Sequence, residues 1–353
     1  MLDDIIHLMI LYVIILALLI AFLRYCYMNL HYDRIPMFKV RRVYNEQSVA
    51  LDDGTILNYV ECKNDLQPLL LIHGQTMCWE DYANVLLSLK EKYHVYAIDC
   101  HGHGKSSHDE LKYTCKFMGN DFKWFIENVI GDDCIVCGHS SGGIIAAWLT
   151  VNVKDYVKGV VFEDPPFFRV KPNEMKNTFV WHDGFEVVHK YLVDGSEIDY
   201  DLYYILNGYF WNLFGDLRKL VYETARKYRL KHQNSALKIW YIPYKWLHGT
   251  RYLDEFDLKF AETFYSGRWK EGIDIEELLS DIECPSIYLK ARTNYGKDGV
   301  LYAANTDEDA SRVVNSFKDT KLITIKSGHD IHFEQPTKFV NILFEFIEQF
   351  GDN

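Results

Sequence analysis

Nineteen residues from Ile5 to Leu23, IIHLMILYVIILALLIAFL, are apolar throughout except for His7 and carry no formal charge. At a rise of about 1.5 Å per residue, roughly 20 residues cross a hydrocarbon core about 30 Å thick, so the run predicts a transmembrane helix. A cleaved signal peptide has a basic start and a shorter apolar stretch, whereas this run follows Asp3 and Asp4 and continues into Arg24. A helix lying on a soluble core would keep a polar face, and this one has none. Arg24, Arg34, Lys39, Arg41 and Arg42 follow the run and only acidic residues precede it, which orients the body of the chain toward the cytosol. The lack of any Asn-x-Ser/Thr sequon, and of disulfide-framework spacing among the eight cysteines, agrees with that side.

Beyond the anchor the pattern changes period. Residues 42–51 and 56–62 read as two strands of a hairpin around Asp52-Asp53-Gly54-Thr55. Continuous apolar runs at Leu69–Ile72, Val95–Ile98 and Val157–Phe162, and the run from Asp133 to Cys137, predict strands covered on both faces. Helical periodicity at 79–89, 117–129 and after Ser140 falls between them, and this alternation predicts a mostly parallel, doubly wound α/β sheet of about eight strands. From Phe167 to about Glu276 the short apolar runs stop. The stretch is rich in aromatics, among them Trp181, Phe185, Tyr200, Tyr204 and Trp211, and its clear periodicity is helical. Strand character resumes at Ser286–Leu289 and Lys321–Ile325, and an amphipathic helix closes the chain at 337–350. The expected organisation is an anchor and juxtamembrane segment at 1–35, a core at 36–166, a helical insertion at 167–276 and the rest of the core at 277–353.

With 48% hydrophobic and 25% charged residues the chain is globular in composition. Its net charge of −12 argues against a nucleic-acid partner, which needs a basic stripe to displace counterions. Cys134 and Cys137 form a C-x-x-C within a strand, where alternation sends them to opposite faces, so packing explains them.

The candidate chemistry sits at Gly138-His139-Ser140-Ser141-Gly142, between a β-branched run and a helical one. G-x-S-x-G at a strand-to-helix bend is a nucleophile elbow, with the Ser140 hydroxyl lifted above the carboxyl end of the sheet and the backbone N–H of Ser141 aimed at a developing oxyanion. Three further segments flank it in order: His73-Gly74, Asp99-Cys100-His101-Gly102-His103-Gly104-Lys105-Ser106, and Gly328-His329-Asp330-Ile331-His332-Phe333-Glu334-Gln335-Pro336.

Together these four segments resemble the α/β-hydrolase superfamily over residues 40–350. They match its H-G oxyanion element, its D-x-R-G-H-G-x-S turn (His101 standing where arginine is common), its elbow and its G-H-x-x-H-x-E-x-P segment. The resemblance implies Ser140 as nucleophile, His329 as base with His332 as its competitor, and the backbone N–H groups of Gln75 and Ser141 as oxyanion hole. For the acid, family order points just past the strand at 286–290, where Asp298 lies on a Gly-flanked loop; Asp164, after the strand at 157–162, is the alternative. His73, His101 and His103 fall in loop motifs, so no metal site is expected, and the chemistry requires no cofactor. Serine at the elbow disfavours epoxide-hydrolase and dehalogenase chemistry, whose similar members carry aspartate there. The resemblance implies a serine hydrolase acting through an acyl-enzyme, with a small lipophilic ester, lipid or thioester as substrate and the insertion as a cap whose aromatics form a small core and an acyl pocket. Acyl transfer and C–C bond cleavage share the elbow, and a non-catalytic ligand-binding module of the same fold is the rival reading.

Overall fold

Short runs bounded by turn residues, apolar except for the polar β1, become the eight strands of one sheet. The computed structural model describes residues 2–32, 34–233 and 235–350. The strands are β1 (Asn45–Ala50), β2 (Ile56–Cys62), β3 (Pro68–Ile72), β4 (His94–Ile98), β5 (Cys134–His139), β6 (Val157–Glu163), β7 (Ser286–Ala291) and β8 (Lys321–Ile325). They lie in the order β1-β2-β4-β3-β5-β6-β7-β8. The β1–β2 and β2–β4 pairs are antiparallel, and every other neighbour is parallel. Chain order reverses around β3, which sits between β4 and β5, and such a reversal opens a crevice at the carboxyl ends of the strands.

Residues alternate across the sheet into two cores. Leu70, Ile72, Cys134 and Val136 join one cluster, while Leu69, Leu71, Ile135 and Cys137 join the other. The C-x-x-C cysteines therefore sit on opposite faces, both as free thiols. Helix α1 (Leu2–His31) precedes the sheet. Around the sheet pack α2 (Ala83–Leu89), α3 (Cys115–Phe125) and α4 (Ser141–Asn152). Thr114 caps α3, its hydroxyl accepting from the Phe117 N–H at 3.3 Å.

Between β6 and β7 every described element is helical, and its longest helix is α5 (Arg218–Arg229). One part of this cap merges with the sheet core through Trp181, Phe185, Phe260 and Phe264. The other has a core of its own around Ile205, Trp211, Val221 and Ile239. Arg229 ties that second part together, pairing with Asp201 and with Asp254 (2.6 Å).

After β7 come α6 (Asp307–Ser316) and, past β8, α7 (Pro336–Ile347). Helix α6 was not anticipated. Its sequence is largely polar, but Thr306 and Asp309 form a reciprocal capping box at its start.

Helix α1 is longer than its apolar run. Its last two turns lie beyond the apolar stretch and dock on the cap: the Asn29 amide donates to the Trp240 carbonyl (2.8 Å) and accepts from the Tyr244 N–H (3.0 Å). Tyr25 and Tyr32 donate to the carbonyls of Tyr241 (2.9 Å) and Leu237 (3.2 Å). The juxtamembrane segment expected at 1–35 is thus partly a piece of the cap's core, to which Tyr32 contributes.

Helices α3 and α4 meet without a gap. A Cβ on Gly119 would lie 2.3 Å from the indole of Trp148. Gly119→Ala is expected to cost about 1–3 kcal/mol by overpacking, measured by chemical unfolding, and Gly119→Ala/Trp148→Leu to recover most of it.

Candidate active site

The site is assembled where backbone strain concentrates. Among the described residues three non-glycines have positive φ: Thr76 (64°) in the loop after β3, and Ser140 (53°) and Asp164 (46°) at the ends of β5 and β6. Strained backbone of this kind persists only where its surroundings over-determine it. At the elbow the surroundings are backbone. A Cβ on Gly138 would fall 2.3 Å from the Gly142 carbonyl oxygen, and one on Gly142 would fall 2.4 Å from that of Ile72. The glycines let β5, α4 and β3 close around Ser140. The Ser140 N–H donates to the Glu163 carbonyl (2.9 Å), locking the elbow to the end of β6.

Ser140 and His329 line one cavity of about 290 Å³, together with Gln75 and Ser141. The loop carrying Gln75 is held by two histidines. His73 donates from Nδ1 to the Gly74 carbonyl (2.7 Å) and accepts at Nε2 from the Cys100 N–H (2.9 Å). His103 accepts from the Thr76 N–H (3.2 Å) and donates to the His101 carbonyl (2.9 Å). His101 pairs with Asp121 at 2.8 Å. Each of the three histidines has a structural partner of its own, and burial pushes His73 down to about 4. The rest of the cavity wall is largely apolar, and much of it comes from the cap: Phe179, Phe185, Val188, Leu253, Phe256 and Phe264.

His329 meets the carboxylate of the alternative candidate, Asp164, and not that of Asp298. Its Nδ1 lies 2.8 Å from Asp164 Oδ2, and Asp164 is fully buried, its other oxygen accepting from the Ala291 N–H (3.1 Å). Burial disfavours the imidazolium, yet the hydrogen bond and charge of Asp164 outweigh it and raise His329 above its ordinary value. Asp298 lies elsewhere. Its exposed carboxylate accepts from the Tyr209 hydroxyl and from the Val300 N–H. The loop after β7 is captured by the cap, with the Leu301 N–H donating to Asn177 and the Phe179 N–H donating to Leu301 (2.9 and 2.8 Å). That capture carries Asp298 to the cap and away from the histidine loop.

His332 sits in a separate set of ion pairs. Its Nδ1 lies 2.8 Å from Glu163 and its Nε2 lies 3.0 Å from Asp81, whose other oxygen meets His248 of the cap at 2.8 Å. Burial opposes charge on His332, but two flanking carboxylates raise it well above its ordinary value. His139, packed against the rings of both His329 (4.7 Å) and His332 (5.2 Å), is pushed down to about 3 by burial and stays neutral. Asp81, His139 and His332 each bring a ligand-type atom within 4.8 Å of the others, the one such group among the described residues. The 3.0 Å Asp81–His332 contact is that of an ion pair. Sequence reading missed this network because Asp81 and His248 are 167 residues apart; the acidic doublet Glu163-Asp164 was its only local trace.

A family model described as "Alpha/beta hydrolase family" matches residues 69–342. The chain is a hydrolase of the alpha/beta hydrolase family. A serine hydrolase-like protein of Danio rerio is 24% identical over 88% of this chain and 90% of its own length. A soluble epoxide hydrolase of Corynebacterium sp. (strain C12) is 28% identical over 33% of this chain, and the match spans only 40% of that relative. Among solved structures, a bacterial membrane phospholipase A aligns over 97% of this hydrolase and 99% of its own chain (TM-score 0.59, 17% identity). A putative aryl esterase from Burkholderia cenocepacia aligns over 86% and 98% (TM-score 0.62, 18% identity). At such identities the structures share the fold.

Removing one partner from a buried charge cluster leaves the other uncompensated. His332→Gln is expected to lower unfolding free energy by about 3–5 kcal/mol, with Glu163→Gln/His332→Gln costing less than the sum of the single changes. A raised native value stabilises below the unfolded value of 6.5 and loses that contribution as pH rises through the native one, so the gap between wild type and His332→Gln should narrow on the alkaline side. Denaturant titrations across pH measure both.

Proposed function

We propose that this protein is a membrane-anchored serine hydrolase that cleaves a lipophilic ester, lipid or thioester through an acyl-enzyme. The observation that carries the reading is the 2.8 Å contact between His329 Nδ1 and the buried Asp164 carboxylate, beside a serine held at positive φ on the same cavity. With Nδ1–H donated to Asp164, the proton-accepting nitrogen of neutral His329 is Nε2. In the proposed cycle Ser140 Oγ attacks the substrate carbonyl as its proton passes to His329 Nε2. The N–H groups of Gln75 and Ser141 stabilise the tetrahedral oxyanion, aided by the N-terminus of α4, which begins at Ser141. Collapse expels the alcohol or thiol, which takes the proton back from His329. Water, activated by the same base, then releases the acid and restores Ser140.

Serine at 140 supports this chemistry over the one named for the epoxide-hydrolase relative. The apolar cavity wall supports an acyl or alkyl chain beside the carbonyl. Anchoring rests on α1, which is 30 residues long with its most apolar window unburied by the rest of the chain. Its basic C-terminal flank supports a cytosolic site.

Fluorophosphonate labelling tests the nucleophile: wild type should label and Ser140→Ala should not, and failure of the first or survival of the label in the second sinks the reading. Asp164→Asn should lower kcat on a p-nitrophenyl ester by about 10⁴, whereas Asp298→Asn should remain near wild type. Because protonated His329 cannot accept a proton, kcat/KM should fall as pH drops through a limb above 6.5. Where residual activity permits, Asp164→Asn should move that limb to lower pH.

A further inference from the structure

The chain as a whole is acidic, yet one stretch of the cap is strongly basic. Residues 210–250 hold eight Lys and Arg against two carboxylates, Asp216 and Glu223, in a chain of net charge −12; Arg229 is buried in its pairs with Asp201 and Asp254, leaving seven at or near the surface. The same stretch presents large apolar side chains to solvent: Leu213 (69% exposed), Leu217 (63%), Leu220 (57%), Trp246 (46%) and Trp240 (45%). Single exposed apolar residues are ordinary, but here they are connected. Leu217, the N-cap of α5, and Leu220 and Thr224 within it follow helical spacing, and Thr224 Oγ1 meets the Tyr241 hydroxyl at 3.0 Å. Trp240, next along the chain, meets Phe22 of α1 edge-on at 6.0 Å. At the other end Trp246 packs on Phe214 at 6.1 Å.

The strip therefore ends where α1 joins the cap, and the contacts of Asn29 and Tyr25 fix it there. Leu with Trp beside Lys is the composition of a surface that enters a headgroup layer, and a negative leaflet adds attraction for each nearby cation. We propose that this face of the cap rests on the anionic surface of the bilayer that α1 crosses, with Leu217, Leu220 and Trp240 among the headgroups. The inference rests on the reading of α1 as an anchor, which holds the strip at the membrane; nothing comparable holds it against a soluble partner. It also bears on the site. Tyr204 lines the cavity and packs on Trp211 at 6.1 Å, and Trp211 packs on Phe214 at 5.4 Å, so the docked face lies two ring contacts from the cavity wall. A lipid-borne substrate would meet the cap before it meets water.

Full-length protein would be reconstituted into vesicles of phosphatidylcholine, with and without phosphatidylserine. A fluorophore is placed on Val13→Cys, Leu217→Cys or Leu322→Cys, the label on the native cysteines being subtracted. Doxyl-lipid quenching is then read at each position. Quenching at 13 and 217 well beyond that at 322, with the 217 signal reduced without phosphatidylserine and in Lys219→Glu/Lys227→Glu/Lys231→Glu, supports the proposal. Quenching at 13 with none at 217 overturns the docking and leaves the anchor intact. Signal at 217 with none at 13 removes the anchor, and this proposal with it. The hydrolase reading is tested separately, since none of the three labelled positions touches the cavity.

Discussion

Two adjacent carboxylates at the end of β6 hold the rest of the site in register. Successive residues in a strand point to opposite sides, and the turn at Asp164 (φ 46°) redirects the chain so that Glu163 reaches His332 while Asp164 reaches His329. The two histidines lie three residues apart on the loop that follows β8. One strand end therefore grips that loop twice. The second grip is a buried ion pair whose value lies in geometry more than in net free energy, because desolvation offsets much of the attraction.

From that grip the network runs outward. His332 reaches Asp81 at the start of the turn leading into α2, and Asp81 reaches His248 in the cap. The turn before α2, the segment after β8 and the cap are thus joined by a chain of buried ionisable side chains, Glu163, His332, Asp81 and His248. His139 lies against the same rings and stays neutral, so the elbow adds no charge of its own behind Ser140. An isolated buried charge there would be far costlier than a carboxylate paired with His332.

The cap belongs structurally to two places. Its aromatics near Phe185 and Phe264 close the cavity and merge with the sheet core, while its basic portion has a separate core that includes Tyr32. Movement of α1 relative to the sheet would have to pass through the cap. Helix α1 and the roof of the cavity are mechanically continuous, which a plain tether would not be.

Local signals carried much of this architecture. The strand runs, the Asp-Gly hairpin and the glycines of the elbow are legible because each answers a short-range constraint: alternation across a two-sided sheet, or a bend with no room for a Cβ. Ser140 and His329 are legible for the same reason, since both sit in loops with dense local patterns. The carboxylate at His329 is different. Family order favours Asp298 with Asp164 as the alternative, but the cap, through its pairing of Asn177 and Phe179 with Leu301, draws the loop after β7 away and leaves Asp164 at His329. Likewise Asp81 and His248 meet across 167 residues with no motif to announce them. By itself, then, the chain determined its sheet, its elbow and its apolar N-terminal helix, all products of neighbours in sequence. Tertiary packing alone decided which distant charges pair, because electrostatic partners are chosen by proximity in space and by the cost of leaving either one buried and alone.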